Sequence, residues 1–234
     1  MCSSDLGYPS VGHLLSCDLS WPMARRAGKG AFVADEEALP VAAGCLDLIV
    51  SNLSLHWVND LPGAFLQARQ ALKPDGLLLG AVLGGATLSE LRHSLAEAEA
   101  ETTGGASPRV SPFADIKDIG DLLQRAGFAL PVVDREIIPV SYAEPWKLLL
   151  DLRGMGESGA AWARRKSFTR RDTLARAMDI YRERFADADG RAPATFQIIH
   201  FAAWAPDPTK QQQPLSPGQA QSLLANALNG TGEA

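Results

Sequence analysis

Leu46-Asp47-Leu48-Ile49-Val50-Ser51-Asn52 is the stretch that decides the fold. Large apolar side chains stop abruptly at two polar residues. A short run that is apolar on both faces predicts a strand covered on both faces, the habit of a parallel sheet flanked by helices. Ligands of such sheets bind beyond the carboxyl ends of the strands, so Ser51-Asn52 stand at a candidate site.

The neighbouring segments extend the same alternation. His13 to Cys17 reads as a strand ending at Asp18, and Ala31 to Ala34 as another ending at Asp35. Between them Ser20 to Arg26 reads as a short helix, with Ser20 as N-cap and Pro22 in its first turn. Asp60 and Pro62 open a helix running to Leu72. Lys73-Pro74-Asp75-Gly76 stops it, and Gly76 to Leu83 is a further strand. Downstream, Thr87-Leu88-Ser89-Glu90 has the spacing of a capping box, followed by the stripe Leu88, Leu91, Leu95 and Ala98. Ser111-Pro112 starts a helix that closes at Gly127. Val132 to Tyr142 is strand or hairpin material, Thr169 to Phe185 is a helix, and Ala194 to Trp204 is a strand.

Three acids or polar pairs at successive strand ends point to a nucleoside site. A carboxylate at the end of a second strand can accept two hydrogen bonds from ribose hydroxyls, a role that suits Asp18. Asp35 and Glu36 could accept from an adenine amino group, with Leu19 and Leu39 covering the ring. The alternative is that Asp18 caps a helix and Asp35 is a solvated turn acid. Asn52, His56 and Trp57 lie on the segment leaving the best strand. His56 could orient a substrate or move a proton; a tryptophan such as Trp57 is more often a core residue than a cofactor contact. His13, His93 and His200 have no ligand spacing, so no metal is expected.

The 22 Lys and Arg against 27 Asp and Glu give a net charge of −5, which disfavours nucleic acid as a partner. The 46% hydrophobic and 21% charged residues are those of a folded soluble chain, and the apolar stretch Gly76 to Ala86 is too short for a transmembrane segment. Cys2, Cys17 and Cys45 are too few and too scattered for a disulfide framework. Met1 to Gly12 has no signal-peptide pattern. Its opening, Met1-Cys2-Ser3-Ser4-Asp5-Leu6, is what one frame of a sequencing adaptor encodes, which predicts a non-native start. The expected organisation is a non-native or disordered 1–12, a domain over 13–205 with a helical substrate region at about 143–190, and a flexible proline- and glutamine-rich tail over 206–234.

Ala34-Asp35-Glu36-Glu37-Ala38-Leu39-Pro40, then Leu46 to Pro62 and Leu72-Lys73-Pro74-Asp75-Gly76, resemble class I S-adenosylmethionine-dependent methyltransferases. More narrowly, Ser54 to Pro62, Gly104-Gly105 with Ser107-Pro108 and Ser111-Pro112-Phe113, Arg153-Gly154-Met155-Gly156-Glu157-Ser158 and Pro193-Ala194-Thr195 are similar to the respiratory complex I assembly factors that hydroxylate an arginine of a complex I subunit, and to their bacterial relatives. The resemblance implies an α/β, Rossmann-like methyltransferase fold with a mostly parallel sheet, truncated at its N-terminus and carrying a helical insertion towards the C-terminus. It implies S-adenosylmethionine as cofactor, held by Asp18, Leu19, Asp35, Glu36 and Ser51, with Asn52 and Trp57 on the substrate side and His56 as the catalytic candidate. It implies methyl transfer to a protein or small molecule in connection with complex I assembly. Arginine hydroxylation of a complex I subunit and a non-catalytic assembly chaperone are the alternatives. The implied location is bacterial cytoplasm, or the mitochondrial matrix in a eukaryote, and the implied partner is a complex I subunit.

The departures are specific. The family's Asp-x-Gly-x-Gly-x-Gly loop is matched only at Asp5-Leu6-Gly7, after which come Tyr8-Pro9-Ser10. Gly7 to Asp18 is too short for the helix that follows that loop, so weak cofactor binding is expected. Gly159 stands where relatives usually carry Asn.

Overall fold

The computed structural model describes residues 12–157, 159, 164 and 167–209. The expectations for residues 1–11 and 210–234 lie outside the described residues.

The chain begins with β1 (Ser16–Asp18), α1 (Trp21–Arg26) and β2 (Ala31–Val33). β1 and β2 pair in parallel, Ser16 opposite Ala31 and Asp18 opposite Val33. Pro22 in the first turn of α1 and Arg25 and Arg26 in its last suit the donors and the dipole of a helix. Ser20 occupies the N-cap position, but its hydroxyl makes no capping bond; Asp18 Oδ1 instead accepts from the Ser20 amide at 2.7 Å. The first strand is therefore shifted from the expected 13–17 to 16–18, because its pairing is set by β2.

Then follow β3 (Leu46–Asn52), a single 3-10 turn (Leu55–Trp57), α2 (Leu61–Ala71) and β4 (Leu72–Leu83). Asp60 caps α2 by accepting from the Gly63 amide at 2.9 Å. β3 and β4 run parallel, Leu48 to Asn52 matching Leu77 to Ala81. The Lys73-Pro74-Asp75-Gly76 turn is absorbed into β4 as a register shift: β3 advances two residues from Leu46 while β4 advances five from Leu72, with Asp75 at φ +61°.

The remaining elements are α3 (Ser89–Thr103), α4 (Ile116–Arg125), β5 (Ala129–Tyr142), α5 (Pro145–Gly154), α6 (Arg171–Phe185) and β6 (Ala192–Trp204). β6 lies between β4 and β5 and is antiparallel to both, giving the order β3-β4-β6-β5 beside the separate β1-β2 pair. This is the α/β, Rossmann-like architecture expected, with parallel pairs in the first half of the chain and α5 and α6 within the segment expected to be helical.

Two local expectations are corrected. Thr87 and Glu90 do not form a capping box. Thr87 Oγ1 donates to the Gln197 carbonyl at 3.0 Å and accepts from its amide at 3.1 Å, while Glu90 accepts from the Thr195 amide and hydroxyl. Both side chains pin the start of α3 to β6, so tertiary bonds displace the local one. The helix expected from Ser111 begins at Ile116, where Asp115 and Asp118 cap it reciprocally.

The core forms two clusters. Phe65 and Ala68 of α2 meet Leu78 and Val82 of β4, Ile119 and Leu123 of α4, and Ile199 and Phe201 of β6. Leu91, Leu95 and Ala98 of α3, the expected stripe, pack with Leu148 and Leu152 of α5 and Met178 and Tyr181 of α6. At Gly80 a Cβ would lie 2.1 Å from Phe201 Cζ, so only glycine lets this ring, edge-on to Phe65, cross β4.

Candidate functional site

The strand ends come together through one carboxylate. Glu37, in the loop after β2, accepts from the backbone amides of Asn59 and Asp60 and from Asn59 Nδ2 at the entrance to α2. Gln67 of α2 returns the contact, donating to the Glu37 carbonyl at 2.8 Å and accepting from the Leu39 amide at 2.9 Å. The Asn59 and Asp60 amides hold the Glu37 carboxyl below its usual value. Sequence reading named Glu36 rather than Glu37 here; the signal for Glu37 was the need of the α2 entrance for an acceptor.

Of the predicted cofactor residues, Asp18 is the last residue of β1 and Asp35 sits two residues beyond β2, and each turns its own loop. Asp35 Oδ1 accepts from the Glu37 amide at 2.9 Å, as Asp18 Oδ1 does from Ser20. Leu19 is exposed. Glu36 is half-buried in the same loop as Asp35. Ser51 is buried at the end of β3, its hydroxyl 3.0 Å from that of Ser54. Asn52 is exposed at the last position of β3. Leu53 follows at φ +51°, a backbone state that an L side chain adopts only when its surroundings enforce it, here an amide bond to the Ala81 carbonyl at 2.8 Å. The sharp corner sends the chain into the 3-10 turn that carries His56 and Trp57.

His56 is the best-defined member. Its side chain is 3% exposed, and Nε2 lies 3.2 Å from Oε1 of Glu157, 101 residues away in sequence. Trp57 and Phe113 rings stand 5.6 and 5.8 Å from the imidazole. Nδ1 is buried and has no hydrogen-bond partner among the described residues. Trp57, Phe113 and Glu157 also line a cavity of about 270 Å³, whose walls are mainly Leu88, Leu91, Leu95, Leu149, Leu152 and Phe196. A space of this size takes one side chain or small molecule rather than a whole nucleoside cofactor. Sequence reading found His56 and Trp57 and missed their partner; Glu157 was visible only as part of the Arg153 to Ser158 string.

Arg109 forms part of the cavity wall, but its charge is engaged behind it. Nε and Nη2 reach Glu99 at 3.1 and 2.9 Å, and Nη1 reaches Thr169 Oγ1 at 2.8 Å. Burial pushes the Glu99 carboxyl up, yet hydrogen bonds from Arg109 and Ser107 outweigh it and hold the group at about 2.

Comparison with known proteins agrees with this geometry. Residues 4–80 match the family described as a methyltransferase domain. A solved methyltransferase from Bacillus halodurans superposes with a TM-score of 0.55 at 14% identity, covering 82% of this chain and 83% of that one. The chain belongs to the class I S-adenosylmethionine-dependent methyltransferase superfamily. Within this superfamily it is 46% identical to the zebrafish (Danio rerio) mitochondrial arginine-hydroxylase NDUFAF5 over 83% of this chain and 60% of the relative. It is 51% identical to the human protein of the same name over 74% and 50%. It is 36% identical to a malonyl-[acyl-carrier protein] O-methyltransferase of Xylella fastidiosa over 82% and 66%. The chain thus spans 42–60% of the length of the NDUFAF5 relatives it matches. Among the described residues no helix is long and apolar enough to cross a membrane.

Proposed function

We propose that this chain is an S-adenosylmethionine-dependent protein of the methyltransferase superfamily, serving the assembly of respiratory complex I. The observation that carries the reading is the joining of the loops after β2 and β3 by Glu37, together with a buried His56 bonded to Glu157, a residue that lines an apolar cavity. Asp18, Leu19, Asp35, Glu36 and Ser51 would hold the cofactor. Their carboxylates and hydroxyl suit ribose and adenine donors, and the turns made by Asp18 and Asp35 keep those acids at the strand ends. The cofactor supplies an activated methyl group, so the protein has to align a nucleophile and exclude water. The apolar cavity beside His56 would do this, with Trp57 as wall and Asn52 at its approach.

The names of the NDUFAF5 relatives favour a second reading, hydroxylation of a protein arginine, with the complex I subunit that bears it as partner and the mitochondrial matrix as location in a eukaryote. Product mass distinguishes them: a methyl group or an added oxygen on the substrate.

The test is a calorimetric titration with S-adenosylhomocysteine of this chain and of a version preceded by the corresponding upstream segment of the zebrafish relative. Binding by the extended chain alone is expected, since this sequence has no Asp-x-Gly-x-Gly-x-Gly loop to approach the cofactor closely. Tight binding by the chain as it stands would show that the strand-end acids suffice. Silence from both folded proteins would remove the cofactor from the proposal.

A further inference from the structure

We propose that the leucine-walled cavity binds an aliphatic carboxylate, its chain among the leucines and its carboxylate on the Arg153 guanidinium at the rim. The inference deepens the reading of this cavity as the substrate site and rests on that reading for the ligand's role.

The walls set the first half of the ligand. Among the described residues the cavity of about 270 Å³ is lined by six leucines, Val110 and three aromatic residues. Leu91, Leu95 and Leu152 are buried members of the core that α3 and α5 form with α6, so the space between them is pre-formed. Water finds few hydrogen-bond partners on such walls, and smaller apolar cavities than this one take up a hydrocarbon. The volume suits a chain of roughly six carbons.

The charges set the second half. Arg109, Arg153 and Glu157 are the charged residues of the described lining. Arg109 is engaged by Glu99 and Thr169, and Glu157 Oε1 lies 3.2 Å from His56 Nε2. The Arg153 guanidinium has neither an ion pair nor a hydrogen bond among the described residues. It lies in the last turn of α5, where a cation suits the dipole, but the carbonyls there already have donors. The Met155 amide bonds the Asp151 carbonyl at 2.8 Å, Gly156 bonds that of Arg153 at 3.2 Å, and Glu157 bonds that of Leu152 at 2.8 Å. The local backbone therefore leaves the fork of Arg153 open, and that fork matches a carboxylate in two parallel bonds.

These two halves fix the orientation of the ligand. A charged head placed deep in the cavity would lie among leucines without a partner. At the rim it meets an exposed, unpaired cation, which favours an anion over a neutral or cationic head. Because Arg153 is exposed, the ion pair adds discrimination of a few-fold, while the chain supplies most of the affinity.

The test follows the leucine methyl signals of the ¹³C-labelled 234-residue chain, without cofactor, as butyrate, pentanoate, hexanoate, hexan-1-ol and hexylammonium are added in separate titrations. Saturable shifts with hexanoate are expected, and binding should tighten by about fourfold per methylene from butyrate to hexanoate. Hexanoate should bind about threefold more tightly than hexan-1-ol or hexylammonium. Arg153→Gln should remove that advantage and leave hexan-1-ol unchanged. Ser111 is a half-buried lining residue whose hydroxyl has no partner among the described residues. Ser111→Phe should therefore fill the space and abolish both ligands, with the melting curve retained. A folded parent chain with no saturable hexanoate shift overturns the proposal, as does hexanoate affinity unchanged in Arg153→Gln. Tighter binding of hexylammonium also overturns it, since Glu157 would then be the anchor. The titrations contain no cofactor, so failure of S-adenosylhomocysteine to bind would sink the proposed function and leave this site standing; silence with hexanoate alone would remove the site and leave the function.

Discussion

Arg109 holds Glu99 with two nitrogens, Nε at 3.1 Å from Oε2 and Nη2 at 2.9 Å from Oε1, and the Glu99 side chain is only 2% exposed. The pair backs the wall of the cavity, so its integrity couples the loop after α3 to the candidate site. Removing the cation takes the charge partner from a buried carboxylate that keeps its bonds from the Ser107 amide and hydroxyl. Arg109→Met should therefore lower the free energy of unfolding by about 3–5 kcal/mol, measured by urea denaturation at neutral pH.

The same carboxyl makes stability depend on pH. Its folded value of about 2 lies below the ordinary 4.5, so its contribution is complete above pH 4.5 and is lost as pH falls towards 2. The urea midpoint of the parent chain should drop through that window. Glu99→Gln should flatten the part of the slope that this group supplies.

Gly80 should tolerate no side chain. A Cβ there meets the Phe201 ring, whose far side is set by Phe65. Gly80→Ala should cost about 1–3 kcal/mol by overpacking. Adding Phe201→Leu should recover part of that loss, since the pair shares one space; a strictly additive double variant in urea titrations would contradict the argument.

Tyr181 is buried among α3, α5 and α6, and its hydroxyl donates to the Pro193 carbonyl at 2.6 Å. Tyr181→Phe should remove about 1 kcal/mol. Differential scanning calorimetry should record this as a fall in Tm of about 2–4 °C for a chain of this size.

Glu37 clamps the entrance of α2 with an exposed side chain, and its folded carboxyl is depressed by the amides of Asn59 and Asp60. Glu37→Ala should speed hydrogen exchange at those two amides while leaving that of β4 unchanged. In the parent chain the same protection should fade as pH falls below the ordinary carboxylate value, because protonation weakens the acceptor.

The legible part of this fold was the part written locally. Leu46 to Val50 is apolar except at Asp47 and ends at polar residues, so a strand and a polar corner after it could be read from order alone; its burial could not, because β3 lies at the edge of its sheet with Leu48 exposed. Asp60 announced α2, and Leu88, Leu91, Leu95 and Ala98 announced the inner face of α3. What could not be read depends on partners far along the chain. Thr87 and Glu90 have capping-box spacing, but Gln197 and Thr195 take their side chains. Glu157 has meaning only beside His56. The start of α4 slipped from Ser111 to Ile116 because Asp115 and Asp118 together satisfy more amides than the earlier Ser-Pro pair.

The central place of β6 has a consequence for synthesis. β5 pairs only with β6 in its sheet, and β4 completes its second edge with the same strand. The last strand of the sheet is thus its keystone, and roughly fifty residues separate the end of β5 from the start of β6. At translation rates of about 5–20 residues per second, β5 emerges several seconds before the strand it must pair with. During that interval Val132 and Ile137 are apolar residues on an unpaired edge. Nascent chains arrested before Ala192 should accordingly be the ones that recruit chaperones, and the emergence of β6 is the event that closes the sheet.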